Sequence, residues 1–474
     1  MNNDLISTAL IAHLENLGRA VPELEEAAKA ITTPLFAAPR IVLVGRLKAG
    51  KSTLVNALVG SDIAETGALE ATNVVTVYQN GAPSRAEAHL LDGSTATVPI
   101  RHGHHSELPV PSEQIAFIDR WLPTRSLENF SLIDTPGLAT LTEKNQLATS
   151  RALIDGFEQT KNASVDADAA VFLFESTPRQ DEIDFVRSLG FTPLNTLGVL
   201  SRADSFGQGA LGYTDPIEDA TYYARQLSAS LKEFFLTIIP VSGLLAETAT
   251  TGRVTETEAR FLSSLSQTPV STLISAMDED SPAALDKAQF SQTLDLFGEY
   301  GVFKGRSQAI NGAADLSEWI ARVSGIEQLH WTLHHSLRRF ATIHRAVRVY
   351  NELEKLRSTY PQYRPEILST ISQMNMDTRL FDVALLRDLK ALIRSRARVE
   401  LIDFVIRILR GNTGAEKLGL GQYATQPELL DEINKQRSFL EELTYDYLDP
   451  AEETTIVTLQ RVLGALERVA KNTF

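Results

Sequence analysis

The sequence predicts an α/β head built on a mixed, mostly parallel sheet, together with an elongated all-α helical bundle. Three observations predict it. The chain has 474 residues, more than one core of about 250–300 residues accommodates, so two parts are expected. Between residues 40 and 242, short apolar runs alternate with helical stretches, the texture of a parallel sheet covered by helices. Beyond Gly243 the strand signal fades, and from residue 325 long amphipathic stretches take over.

Taken in order, Leu5, Leu10, Ile11, Leu14, Leu17, Val21 and Leu24 recur at threes and fours, which predicts one helix over 4–31, ended by Pro34. Candidate strands are 41–44, 74–78, 130–133, 170–174, 196–200 and 237–241, with a hairpin over 86–100 turning at Asp92-Gly93. Residues 256–322 read as short helices broken by Pro269, Pro282, Gly298, Gly305 and Gly312. Long helices are expected over 326–356, 365–409 and 427–471. With the N-terminal helix they suffice for an antiparallel bundle. The expected division is 1–33 joining the bundle, 34–322 for the head, and 323–474 for the bundle with its distal tip near 357–364.

Composition narrows the function classes. Apolar residues at 43% and charged residues at 22% are ordinary for a folded chain. The absence of cysteine excludes disulfides, thiolate metal sites and a cysteine nucleophile. A net charge of −15 argues against nucleic acid as a partner. No apolar run approaches the ~20 residues that cross a bilayer. The first twenty residues carry Asp4 and Glu15 in a helical pattern, unlike a signal peptide. A cytoplasmic location is expected.

Residues 45–52, from Gly45 to Gly50-Lys51-Ser52, fit G-x-x-x-x-G-K-[ST] without a mismatch, between a predicted strand and a predicted helix. Such a loop turns backbone N–H groups onto phosphate oxygens, and the following helix presents its positive end to the same anion. Gly45, Leu47, Lys48, Ala49, Gly50, Lys51, Ser52 and Thr53 are therefore nucleotide-binding candidates. Lys51 would reach the β- and γ-phosphates, and the Ser52 hydroxyl would bind Mg²⁺. Asp134-Thr135-Pro136-Gly137 ends a later strand. Asp134 there can hold Mg²⁺ through a water, and the Gly137 N–H can meet the γ-phosphate. Within 61–73 a threonine should serve both metal and γ-phosphate. Thr72 is the candidate, with Thr66 as the alternative.

Ser201-Arg202-Ala203-Asp204 follows the strand at 196–200. The two carboxylate oxygens of Asp204 match the N1–H and N2–H₂ donors of guanine, a face adenine lacks. Arg202 can lay its stem on the base, and Ser201 is a weaker match to the usual Asn or Thr. Ser242 and Gly243 occupy the place of a last base-contacting loop. The expected ligands are GTP or GDP with Mg²⁺. An ATPase reading is weaker, because the strand at 170–174 leads only to Glu175 rather than to an Asp-Glu pair.

These motifs, their order and the long helices beyond them resemble the bacterial dynamin-like proteins. The stretch Gly45-Arg46-Leu47-Lys48-Ala49-Gly50-Lys51-Ser52-Thr53 and the later run from Leu294 to Val302 look most like the mycobacterial isoniazid-inducible members. The resemblance implies a P-loop GTPase head that dimerises across its nucleotide, a stalk that moves during hydrolysis, and action on membranes. It implies as partner a second copy or a second dynamin-like protein. Leu138 stands where Ras-type enzymes place a water-orienting Gln, and Leu47 and Lys48 stand where dynamins use a polar residue with a monovalent cation. Lys51, Thr72 and Lys48 are the catalytic candidates, with the Lys48 ammonium replacing that cation. A slow basal rate is expected.

Charge is uneven. Residues 325–400 carry 13 Lys and Arg against 8 Asp and Glu, in a chain of net charge −15. That pattern suits peripheral attachment to an anionic membrane. Arg357, Tyr360, Tyr363 and Arg364 at the predicted tip are the lipid-contact candidates. The alternative is a GTPase that binds proteins and leaves lipid alone. His102, His104 and His105 read as a solvated loop rather than a metal site.

Overall fold

A computed structural model describes residues 2–46, 48–64, 74–101, 104–105, 108–135, 167–277 and 286–473. The chain divides into two compact units, one of residues 38–337 and one of residues 1–37 with 338–474.

The first unit is built on a nine-stranded sheet. Its strands are β1 (Arg40–Gly45), β2 (Thr76–Asn80), β3 (Arg85–Leu90), β4 (Thr95–Thr97), β5 (Ile115–Leu122), β6 (Ser131–Asp134), β7 (Ala169–Phe174), β8 (Thr196–Ser201) and β9 (Ile238–Val241). The spatial order is β9-β8-β7-β1-β6-β2-β5-β3-β4. β9, β8, β7, β1 and β6 run parallel, β2 is antiparallel to β6, and β3 is antiparallel to both β5 and β4.

Burial explains the texture of β1. Ile41 and Leu43 face a core shared with Leu54, Leu58, Leu329 and Leu333. Val42 and Val44 face Phe172, Ile183, Ala224 and Phe235 on the other side. A parallel strand covered on both faces must be apolar at successive positions. β5 lies nearer an edge and alternates instead, with Ile115 and Ile118 packed on Ala86 and Ala88. Helices after β9 form a further core, in which Leu245, Leu262, Phe290, Phe297, Leu316 and Ile320 are buried.

The division falls at 37/38 and 337/338, not at the expected 33/34 and 322/323. Ile326, Leu329, Leu333 and Leu337 are buried against the sheet's own core, which assigns 326–337 to the head.

The second unit is helical. Its helices are shorter than the sequence periodicity suggests. The N-terminal stretch is Asn2–Ala20 and Glu25–Thr32, divided at Pro22. The expected 365–409 helix is three, Arg364–Met376, Phe381–Ser395 and Val399–Arg410, broken at Asp377 and at Arg396, whose φ is +57°. The expected 427–471 helix is Gln426–Leu443 and Pro450–Thr473, with Pro450 opening the second. Leu10, Leu14, Leu17, Tyr350, Leu353, Leu389 and Leu459 are buried within this unit. Asp382 takes Lys417 at 2.7 Å and Arg339 at 3.5 Å. Arg345 donates to the carbonyls of Pro34 and Ala37, tying the N-terminal segment down.

Among the described residues, no helix is long and apolar enough to cross a membrane.

In the head, burial, with His334 beside it, pushes the His330 imidazole down to about 4. The unfolded chain then binds the proton more readily than the folded one. Head stability should be full above pH ~6.5 and fall by on the order of 1–3 kcal/mol as pH drops toward 4. His330→Leu should flatten that slope in thermal unfolding followed from pH 4 to 7. Equal slopes in both proteins would refute the assignment.

Candidate nucleotide-binding site

The site begins where β1 leaves the sheet. A Cβ at Gly45 would lie 2.9 Å from the Leu173 carbonyl oxygen, so β1 and β7 approach too closely there for any side chain. The backbone turns left-handed at Lys48 (φ +66°) and Gly50 (φ +89°) and enters the helix Lys51–Val59. Lys51 is 8% exposed. Its ammonium donates to the carbonyls of Gly45 at 3.1 Å and Arg46 at 3.3 Å. Burial lowers its pKa, and the nearby Asp134 carboxylate opposes that. Ser52 and Thr53 occupy the same first turn, and the Ala49 N–H donates to the Arg46 carbonyl at 3.1 Å.

Asp134 closes β6, paired in register with Leu43 of β1. Its Oδ1 is shielded from water and has no hydrogen-bond partner among the described residues. Burial pushes the carboxyl up to about 6, against the pull of Lys51 and of the Thr135 N–H. A buried carboxylate oxygen without a donor is costly unless a cation satisfies it, so the donor set fits a divalent ion. The Thr135 hydroxyl donates to the Leu43 carbonyl at 2.7 Å, fixing the chain beyond Asp134. Leu47, Thr66, Thr72, Gly137 and Leu138 lie outside the described residues.

On the other side of β1, β8 ends at Ser201, whose hydroxyl donates to the Phe174 carbonyl at 3.2 Å. Arg202 is left-handed (φ +56°), donates to the Lys48 carbonyl at 3.2 Å and pairs with Glu175 at 3.2 Å. Asp204 sits half-buried in the turn that follows. Ser242 is buried and caps the helix Gly243–Thr250, accepting from the Leu245 N–H. A Cβ at Gly243 would lie 3.4 Å from the Thr53 methyl. Gly45, Lys48 to Thr53, Asp134, Ser201 to Asp204, Ser242 and Gly243 thus all stand at the carboxyl edge of β1, β6, β8 and β9. That edge is where open α/β sheets bind ligands.

Residues 41–200 match the model of the dynamin family. The chain is 32% identical over 410 residues to the isoniazid-induced protein IniC of Mycobacterium tuberculosis, covering 80% of both. The chain belongs to the dynamin family. It is also 33% identical over 155 residues to IniA of the same organism, covering 30% of this chain and 23% of that protein. Among solved structures it is similar to an oligomerised bacterial dynamin pair described as a mechanism for long-range sensing and tethering of membranes. That likeness has a TM-score of 0.35 and 15% identity, over all of this chain and 76% of the other.

Several groups in this dynamin-family head are not evident from the motifs. Arg46, inside the loop, pairs with Glu182 at 2.8 Å and Asp181 at 3.4 Å, fastening the loop to the helix Gln180–Ser188. Asn56 is fully buried on the loop's helix. Its amide donates to Glu247 at 2.8 Å, and its carbonyl accepts from the Ile63 and Ala64 N–H groups. Arg253 joins Asp62 at 2.5 Å and Glu247 at 3.4 Å to this network. A lone Asn among Leu54, Val55, Ala57 and Leu58 is the sequence signal that marks it.

The predicted tip is engaged internally. Arg357 pairs with Glu354 at 2.9 Å, Tyr363 donates its hydroxyl to Glu23, Tyr360 is half-buried and Arg364 is exposed. His104 and His105 pair with 100–101 in a two-stranded ribbon. Among the described residues, no cluster of His, Asp and Glu could hold a metal ion by itself.

Asn56→Ala would strand the Glu247 carboxylate and the two N–H groups. It should cost about 2–4 kcal/mol of head stability. Urea unfolding checks this, and a cost under about 1 kcal/mol would refute the network's role.

Proposed function

We propose that this dynamin-family protein hydrolyses GTP to GDP and phosphate with Mg²⁺, dimerises through its heads when nucleotide is bound, and acts peripherally on the cytoplasmic face of the cell membrane. The observation that carries the nucleotide part is Asp134 Oδ1, without a partner among the described residues, set against the buried Lys51 at the mouth of the loop.

In this reading the backbone N–H groups of 45–53, Leu47 included, cradle the phosphates. Lys51 exchanges the Gly45 and Arg46 carbonyls for β- and γ-phosphate oxygens. Ser52, Thr72 and Asp134 would hold Mg²⁺, which supplies charge neutralisation between the β- and γ-phosphates. The Gly137 N–H meets the γ-phosphate. Asp204 accepts from the guanine edge, with Arg202, Ser201, Ser242 and Gly243 around the base. Water attacks the γ-phosphorus, the bond to the β-phosphate oxygen breaks, and GDP and inorganic phosphate leave.

Lys48 has a left-handed backbone and an exposed side chain, and Arg202 holds its carbonyl. That arrangement leaves the ammonium able to turn toward the bridging oxygen, where dynamins use a monovalent cation.

A second reading, a GTPase that assembles with itself or a second dynamin-like protein and never remodels lipid, is favoured by the internal bonds of Arg357 and Tyr363.

Turnover of GTP should be unchanged, within about twofold, between K⁺, Na⁺ and a bulky organic cation. Lys48→Ala should lower kcat by roughly 10²-fold, with GDP affinity little moved. Strong activation of the natural protein by either ion would remove Lys48 from this role. In co-sedimentation, the protein with a GTP analogue should pellet with anionic liposomes and not with neutral ones. Recovery in the supernatant in every nucleotide state would favour the protein-binding reading.

A further inference from the structure

The helix Lys287–Gly305 is interrupted at Gly298, where φ is +60° and ψ is −179°. That conformation is essentially confined to glycine. The interruption lies against the site. A Cβ at Gly298 would stand 3.7 Å from Asp204 Oδ2 and 3.2 Å from the Leu244 Cδ2 methyl. The helix packs on both the 203–205 turn and the helix Gly243–Thr250. Its position is fixed on each side of the interruption. Thr248 donates its hydroxyl to the Leu296 carbonyl, and the Tyr300 hydroxyl donates to Asp215 at 3.2 Å. Gly298 is therefore held, without a side chain, beside the Asp204 carboxylate.

We propose that Gly298 is a specificity-determining position for the guanine base. Its missing side chain keeps Asp204 Oδ2 open to the purine's donor edge and lets Leu244 line the pocket beside it. A methyl group here would lie in van der Waals contact with the carboxylate oxygen, push the Leu244 Cδ2 methyl back by a few tenths of an ångström and demand a backbone angle that L-residues avoid. The phosphate loop, on the far side of Thr53 and Gly243, would be untouched. The change should therefore fall on base choice rather than on phosphate binding. This inference rests on the proposed nucleotide reading, and the two fail in different ways.

The test compares the affinities of fluorescent GDP, IDP and ADP for the full-length protein. The natural chain should prefer GDP over ADP strongly. Gly298→Ala should cut that preference by about tenfold or more, the scale of a hydrogen bond to a charged group, with ADP affinity unchanged. Gly301→Ala is the structural control. Its Cβ would crowd Phe297 and Leu245 of the same helix packing without reaching Asp204, so the melting temperature should fall and the GDP/ADP ratio should hold. In an Asp204→Ala background, Gly298→Ala should change the ratio no further. Where the single variant does not fold, the double variant Gly298→Ala with Leu244→Ala removes the steric partner and keeps the readout. An unchanged ratio in Gly298→Ala, or an equal collapse in Gly301→Ala, overturns the inference and leaves the nucleotide reading standing. No uptake of GDP by the natural chain overturns both.

Discussion

A cation sunk into the foot of a loop has to be answered by something, and Lys51 organises the head around that need. With the Gly45 and Arg46 carbonyls as its direct acceptors among the described residues, its ammonium is stabilised by partial charges and by the field of Asp134. Burial opposes the charged form of both residues, raising the Asp134 carboxyl and lowering Lys51. Each therefore holds its charge at the other's benefit. An anionic phosphate over Lys51 and a cation beside Asp134 would relieve both strains at once, which is a physical reason for the two ligands to bind together.

The sheet supplies the geometry for that pairing. β1 lies between two parallel neighbours, β6 and β7, so the loop after β1 and the carboxylate after β6 emerge on the same edge. Close approach of β1 and β7 at Gly45 sets the height at which the loop begins. The outlying parts are then secured by polar contacts that add to the apolar packing. Arg46 reaches Glu182, Arg202 reaches the Lys48 carbonyl, and Asn56 reaches both Glu247 and the backbone at 63–64. Asn56 in particular links the phosphate loop's helix to the helix after Ser242 and to the chain entering 65–73. Movement in any one of the three would disturb the hydrogen bonds of the others.

What could be read from the sequence follows from how local each signal is. β1, β7, β8 and β9 were legible because a doubly covered strand must be apolar throughout, and the loop at 45–52 because phosphate binding constrains consecutive residues. Asp134 and Asp204 were legible through their order along the chain. Arg46 and Gly298 were not, because their partners, Glu182 for the one and Asp204 and Leu244 for the other, are distant in the chain and leave no local pattern, while Asn56 shows only as a lone polar residue in an apolar helix. Helix ends in the bundle misled for a different reason. Apolar periodicity runs through Asp377 without a visible break, since the helices on each side bury the same kind of stripe, whereas at Pro22 and Pro450 that periodicity masks a breaker present in the sequence. A left-handed turn at Arg396 leaves no mark in composition. The head boundary at 337 was hidden because Leu329 and Leu333 suit either core equally.

The positive surplus of 325–400 changes meaning once its partners are known. Arg339 is drawn to Asp382 and to the carbonyls of Arg410 and Gly411, and Arg345 to those of Pro34 and Ala37. Arg357 is paired along its own helix, and Arg398 is bonded to Asp446, Glu452 and the Tyr447 carbonyl. These arginines hold turns and chain ends together, the task for which a planar, many-donor cation is suited. Arg364, Arg394 and Arg396 are exposed, and they stand at the start or end of helices rather than along one face. Attraction to an anionic bilayer is about 1 kcal/mol for each basic residue held near the surface. Because Arg339, Arg345, Arg357 and Arg398 are engaged within the unit, the charge count overstates the attraction available to a single copy. On the proposed membrane reading, several copies presenting the same turns to one surface would sum that attraction.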